Sequence, residues 1–368
     1  MLELLGLEKL YDGVKAISDF SLTVKKDEYI TILGPSASGK TTLLRLIAGL
    51  EPLDKGKIIL DGEDISLKPT HQRTLGFVQQ KYALFPHLTV RENVAFGLQN
   101  HFSNPVTDEK EISNRCDDIL EVVGLADLGN RKIGEISGGQ KQRVSLARTL
   151  VTRPRFCLLD EPLGALDANL RQRMTSELRE IRASLGVSFI HVTGNETEAF
   201  SMGDKVIILD SGRLVQIDTP SNILSMPSTV EAARNVNNYN ILEGTSTGDK
   251  FTTNGQDIPL PLGIKNVLYY AIGYDRITIG DADTSIPSHM GGIKAKYIAS
   301  RFTGASVVYL FEFGDNKIIE VERHISRDKP REYQAGQMKT LSWNIDQILS
   351  YTKDRDLIHS SVNERVAL

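Results

Sequence analysis

The sequence predicts an α/β fold built on a parallel sheet, followed by a smaller all-β domain. Three observations predict it. Short apolar runs alternate with helix-period segments up to about residue 230, a glycine-rich pattern joins one such run directly to a helix, and beyond residue 230 the pattern becomes a series of short β-like runs broken by Gly, Asn, Asp and Pro. At 368 residues, with 40% hydrophobic and 24% charged side chains, the chain suits two ordinary globular domains. The balance of 43 basic against 47 acidic residues leaves a net charge of -4, which gives no electrostatic reason to expect nucleic acid. Two cysteines, Cys116 and Cys157, are too few for a disulfide framework. Cys157 sits in an apolar run and is expected to pack as a small hydrophobe in a reducing cytosol.

Taken in order, Met1–Lys9 alternates like a strand and carries Glu3 with no basic leader, so it is expected to be a first strand and not a signal peptide. No run approaches the ~20 apolar residues that span a bilayer. Leu22–Val24 is a short strand, and Tyr29–Leu33 a buried-looking one that leads into the glycine-rich loop. Leu43, Leu44, Ile47 and Leu50 then fall on a 3.6-residue period, with Gly49 as the stop. Lys57–Leu60 followed by Asp61-Gly62 reads as a strand entering a tight turn. From about 81 to 150 the chain is mostly helical, including Ile112–Val123 and Gln140–Val151. Phe156–Leu159 and Val187–Val192 are strands flanking an amphipathic helix, Ala168–Leu185.

The segment Met226–Asn240 reads as a linker, and the expected domains are 1–235, with a helical subdomain at about 81–150, and 236–368. In the second domain, Val267–Ile272, Gly292–Ile298, Ser306–Phe313 and Lys317–Val321 suggest a small antiparallel barrel or sandwich, with Trp343 in its core. His71, His87, His101, His289, His324 and His359 are scattered without ligand spacing, so no histidine metal site is expected.

Gly34, Pro35, Ser36, Ala37, Ser38, Gly39, Lys40, Thr41 and Thr42 follow a strand and open a helix. That is the context of a phosphate-binding loop, in which backbone N–H groups and the helix N-terminus form an anion nest. Lys40 would bridge the β- and γ-phosphates of a nucleotide, and the Thr41 hydroxyl would ligate Mg²⁺. Asp160 and Glu161 end an apolar strand and so reach the carboxyl edge of the sheet beside that loop. Asp160 would hold the magnesium shell and Glu161 would act as general base on the attacking water. Ser137, Gly138, Gly139 and Gln140 begin a helix whose bare N–H groups could close the open side of a γ-phosphate; an ordinary N-cap turn would give the same pattern in isolation.

Ser137-Gly-Gly-Gln140 with Lys141-Gln-Arg143 behind it resembles the signature of the nucleotide-binding subunits of ATP-binding-cassette (ABC) transporters. The resemblance implies a P-loop core with a RecA-like sheet, an antiparallel β subdomain and a helical subdomain, followed by an OB/TOBE-like β-domain. It implies that Tyr11 stacks on adenine, that Gln80 contacts Mg²⁺ and water and senses the permease, and that Asp167 communicates across a dimer. Two subunits would then sandwich two ATP molecules, so that Ser137 and Gly139 act on the partner's nucleotide. Further implied are transmembrane permease subunits received near Phe85–Leu98, an extracytoplasmic solute-binding protein acting indirectly, and a peripheral place on the cytoplasmic face of the inner membrane. The tail resembles the accessory domain of importer ATPases for polyamines, ferric iron, sulfate, molybdate, phosphonates or sugars; iron, polyamines and small oxyanions or phosphonates are the expected substrates. The usual Arg-Pro-Glu triplet of that domain is here Gly273-Tyr-Asp275.

One position departs from the pattern. The family reads Val-Thr-His-Asp where this chain reads Val192-Thr-Gly-Asn195, so Gly194 stands where a γ-phosphate-contacting histidine is expected. Three readings follow: an active ATPase in which Glu161 carries the catalysis and Asn195 or a water replaces the contact; a nucleotide-binding subunit of weak or no hydrolysis; or compensation by His191, itself an apparent strand residue. The intact Glu161 favours the first. A non-transport ABC ATPase of translation or repair is a further alternative, although those carry tandem cassettes or inserted arms.

Overall fold

The computed structural model describes residues 1–102, 104–164, 166, 168–287, 289–314 and 317–360. It divides into two units, Met1–Pro220 and Ser221–Leu368. In the first, β1 (Leu2–Tyr11) and β2 (Val14–Val24) pair as an antiparallel hairpin, Leu2 opposite Val24 and Tyr11 opposite Val14. β3 (Tyr29–Leu33) is buried along its whole length and runs into the glycine-rich loop and α1 (Lys40–Ala48), which buries Leu43, Leu44, Leu46 and Ile47. β4 (Lys55–Leu60) and β5 (Glu63–Asp64) complete a four-stranded sheet in the order β2-β1-β4-β5.

After β6 (Gly76–Val78) come three helices, α2 (Val90–Gln99), α3 (Glu109–Val122) and α4 (Gly138–Leu150), which form the expected helical region. Then follow β7 (Phe156–Asp160), α5 (Ala168–Leu185), β8 (Ser188–Thr193), α6 (Glu196–Met202), β9 (Lys205–Asp210) and β10 (Arg213–Asp218). The six-stranded sheet runs β10-β9-β3-β8-β7-β6, parallel throughout except for the edge strand β10.

Both faces of this sheet are covered, which is why β3, β7 and β8 are buried at every residue and do not alternate between buried and exposed. Ile30, Ile32, Leu158, Ile190 and Val192 join α1 and the antiparallel sheet in one core. Tyr29, Leu159 and Phe189 face the other way, into a core with α4, α5 and Met202 of α6. Burying a Leu or Ile side chain of this kind stabilises the fold by about 1.5–3 kcal/mol. The strand order places β8 between β3 and β7, with Leu33 level with Thr193 and Asp160 level with Val192. The loops leaving the three strands therefore meet at one carboxyl edge, where α/β sheets bind ligands.

The second unit is all-β after two short helices, Pro220–Ser225 and Val230–Asn235. Its sheets are antiparallel. Four strands lie in the order Tyr239–Glu243, Tyr269–Gly273, Leu349–Tyr351, Leu357–Ser360; three form the meander Thr245–Thr247, Lys250–Thr253, Gln256–Pro259; five run Thr278–Asp281, Met338–Asn344, Met290–Phe302, Ser306–Phe313, Lys317–His324. Trp343 is buried in their shared core and donates its Nε1–H to the Tyr270 hydroxyl at 2.8 Å. The segment expected to be a linker is structured. Thr229 caps the second helix by accepting from the Ala232 N–H at 3.1 Å, and Val230, Ala232 and Ala233 are buried. Tyr239 then opens a strand and donates its hydroxyl to the Leu224 carbonyl at 2.8 Å.

Candidate nucleotide-binding and catalytic site

The glycine-rich loop needs its glycines for space. A Cβ on Gly34 would lie 2.1 Å from the Leu209 carbonyl oxygen, and one on Gly39 would lie 2.6 Å from that of Ala16. Gly39 also sits at φ 101°, open to glycine at no steric penalty, and caps the N-terminus of α1. Lys40 is nearly buried, its ammonium donating to the carbonyls of Gly34 at 2.8 Å and Pro35 at 2.9 Å. Burial holds that ammonium below its ordinary pKa, against the pull of Glu161 and Asp160. The Ser38 hydroxyl is buried and has no hydrogen-bond partner among the described residues. A cradle of backbone N–H groups with a lone cation and an unsatisfied hydroxyl fits a phosphate chain.

Across the sheet edge, the Thr41 hydroxyl donates to Asp160 Oδ1 at 3.0 Å, and Gln80 Nε2 donates to Glu161 Oε2 at 3.0 Å. Burial raises the Asp160 carboxyl above its ordinary value, opposed by the Thr41 hydrogen bond, while the neighbouring Glu161 adds to the rise. Glu161 has left-handed backbone, φ 44°, and its N–H is fixed by the Val192 carbonyl at 3.0 Å. A non-glycine residue in that region carries about 1–3 kcal/mol of strain. Thr41, Asp160 and Gln80 present hydroxyl, carboxylate and amide oxygens, a donor set suited to Mg²⁺.

Ser137 caps α4 in a reciprocal box, with Ser137 N–H to Gln140 Oε1 at 2.8 Å and Gln140 N–H to Ser137 Oγ at 3.3 Å. Ser137 and Gly138 are exposed. Among the described residues, no hydrogen bond joins this turn to the glycine-rich loop, Asp160 or Glu161. Tyr11 is 42% exposed at the end of β1, with the Lys9 ammonium 5.3 Å from its ring centroid. Asp167 lies outside the described residues.

The Gly194 position is open: a Cβ built there meets nothing within 4 Å. Asn195 is committed locally, its Oδ1 accepting from the Glu198 N–H at 3.0 Å as the cap of α6 and its N–H donating to Thr193 Oγ1 at 2.9 Å. Thr193 Oγ1 in turn donates to buried Glu198 Oε2 at 2.7 Å, and Arg171 Nε stands 3.2 Å from Glu198 Oε1. Burial raises the Glu198 carboxyl, with Thr193 and Arg171 opposing.

His191 belongs to the other face of the sheet from α1. It is fully buried, its Nδ1 3.1 Å from the Tyr29 hydroxyl and its Nε2 3.7 Å from Glu198 Oε2. It is an ordinary strand residue and not a substitute for the missing histidine. Burial drives its pKa down to about 3. The unfolded chain takes up that proton near the usual 6.5, the folded chain only near 3, so His191 destabilises the fold as pH falls through that window. The raised Glu198 works in the opposite sense. His191→Phe is therefore expected to lower the pH of acid unfolding, read by circular dichroism against pH; an unmoved midpoint would count against a buried neutral imidazole.

Sequence reasoning missed Gln142, Ser145 and Arg148 of α4, whose side chains reach the carbonyls of Pro162, Tyr82 and Ala83. Their three-residue spacing was the available signal.

A family model described as "ABC transporter" matches residues 17–164. The chain is similar to the spermidine/putrescine import ATP-binding protein PotA of Vibrio cholerae, with 36% identity over 93% of this chain and 92% of that protein. It is likewise similar to the protein of the same description from Haemophilus influenzae, 37% identical over 94% of each. Among solved structures, a dimeric post-hydrolysis state of the ATP-binding cassette MJ0796 bound to ADP and Pi superposes with a TM-score of 0.54 at 28% identity, covering 60% of this chain and 99% of that one. CbiO1 from Clostridium perfringens, part of the ABC transporter complex cbiONQ, gives a TM-score of 0.57 at 29% identity, over 64% of this chain and 94% of that one.

Proposed function

The chain belongs to the ATP-binding subunits of ABC importers, and from that premise we propose that it hydrolyses MgATP to drive polyamine uptake through a separate membrane permease. The observation that carries the chemistry is the paired contact at one sheet edge, Thr41 on Asp160 and Gln80 on Glu161, each at 3.0 Å. In this reading Lys40 exchanges its two carbonyl partners for the β- and γ-phosphates, while backbone N–H groups of residues 34–42 and the Ser38 hydroxyl hold the chain of phosphates. Tyr11 stacks on the adenine. Thr41, Asp160 and Gln80 would hold Mg²⁺, which when bound offsets phosphate charge. Glu161 takes a proton from water as the water oxygen bonds to the γ-phosphorus and the bond to the β,γ-bridging oxygen breaks, releasing ADP and phosphate.

The signature turn Ser137–Gln140 would complete the site of a second copy, since among the described residues no hydrogen bond joins it to its own chain's loop; the dimeric state of the similar MJ0796 cassette supports a dimer. The substrate class is supported by relatives named for spermidine and putrescine import that match nearly the whole chain. No helix among the described residues is long and apolar enough to cross a membrane. As an importer ATPase like those relatives, the chain would act at the cytoplasmic face of the inner membrane on permease subunits, with a solute-binding protein outside.

The direct test is phosphate release from MgATP by the full-length protein beside Lys40→Ala. Removing a charge-assisted clamp of this kind should weaken MgATP binding by about 10- to 100-fold; equal affinity in the two proteins would overturn the site. For the substrate, the chain assembled with its permease in proteoliposomes should couple ATP hydrolysis to putrescine or spermidine entry. Coupling to ferric iron or an oxyanion instead would discard the polyamine assignment.

A further inference from the structure

We infer that Arg148 is a positioning residue for Gln80, and that α4 ties the two sides of the Gln80–Glu161 contact together. The loop after Gln80 contains two successive non-glycine residues in the left-handed region, Tyr82 at φ 58° and Ala83 at φ 47°. Such a pair does not persist unless its surroundings hold it. The holding groups come from the last turns of α4. Arg148 Nη2 donates to the Tyr82 carbonyl at 2.9 Å, Arg148 Nη1 to the Ala83 carbonyl at 2.6 Å, and Ser145 Oγ to the Tyr82 carbonyl at 2.9 Å. The planar guanidinium gives each of the two consecutive carbonyls its own N–H from a rigid fork, a fixed geometry that a flexible lysine stem does not reproduce.

Arg148 has no acidic partner among the described residues, and burial lowers its pKa. Its charge rests on the two carbonyls and on the Phe85 ring, whose centroid is 5.7 Å away. Downstream, the loop is fixed again by Asn93 of α2, which accepts from the Phe85 N–H at 2.9 Å and donates to the Phe85 carbonyl at 3.1 Å. On the other side of the contact, Gln142 of the same α4 donates to the carbonyl of Pro162, the residue after Glu161. The helix that begins at the signature turn thus grips the loop of Gln80 through Ser145 and Arg148 and the loop of Glu161 through Gln142. A shift of α4 changes how Gln80 meets Glu161.

The kinetic arm of the test rests on the ATPase reading above. In the full-length protein, Arg148→Ala should lower kcat for MgATP about 10-fold with KM within about 2-fold, and Arg148→Lys should not restore it. In a Gln80→Ala background the same change should cost nothing further. A rise in KM, or an equal loss in the Gln80→Ala background, would make Arg148 a support of the fold alone and overturn the inference. A second arm needs no turnover: trypsin cleavage after exposed Lys81 should accelerate about 10-fold in Arg148→Ala and in Ser145→Ala, with the melting temperature little changed. Unaltered cleavage would overturn the positioning role, whereas released loops in a protein that hydrolyses no ATP would sink the function and leave the role standing.

Discussion

Glu161→Gln should lower ATP turnover by about 10³-fold and leave MgATP binding intact, so that ATP accumulates in a dimer. Glutamine has the shape of glutamate and can still meet Gln80 by turning its amide, so the 3.0 Å contact survives in outline. What is lost is the basic oxygen that takes the water proton. The neighbouring buried Asp160 loses one of the groups that raise its carboxyl, the Glu161 charge, while burial continues to raise it. Phosphate release and light scattering with ATP present check both halves. Turnover near that of the parent, or a monomer under saturating ATP, would remove Glu161 from the role of general base.

Gly194→His should raise turnover by about 10²-fold, the effect of returning a positioned donor to a developing anion. The structure makes the exchange clean. A Cβ at this position meets nothing within 4 Å, and the neighbouring Asn195 and Thr193 keep their hydrogen bonds to the cap of α6 and to Glu198. Asn195 Oδ1 is held by that cap, which orients the amide and leaves its Nδ2–H groups or a bound water to supply the contact in the parent. Steady-state hydrolysis of the two proteins is the measurement. If the parent is nearly silent and the variant turns over, the chain works as a nucleotide-gated subunit with slow hydrolysis; if the two match, another group already supplies the contact.

Much of the site was legible because its motifs are local. The glycine-rich loop is nine successive residues whose spacing is dictated by backbone sterics, and Asp160-Glu161 follows a strand that is apolar because both faces of the sheet are covered. The convergence of these segments needed only the rule that parallel strands bind ligands at their carboxyl edge. The helices of 81–150 were readable from their period, with ends displaced by two or three residues where caps such as Ser137 and Asp108 decide the boundary. What escaped was non-local or weakly periodic. The grip of Arg148 on Tyr82 and Ala83 joins residues more than sixty apart through backbone carbonyls, which leave no mark on residue type. The segment around Met226–Asn240 read as a linker because its Pro, Ser and Asn content masks a helix of six residues held by one threonine cap and three buried side chains. In the second unit, strands of three or four residues such as Thr245–Thr247 are too short to show alternation.

The left-handed backbone of Glu161 bears on how this chain has been shaped. Glycine at 161 would occupy φ 44° without steric penalty and would make the folded protein more stable, as would asparagine to a lesser degree. The strain at Glu161 goes with the use of its side chain: a carboxylate there accepts from Gln80 and can serve as general base beside Asp160, which glycine could not do.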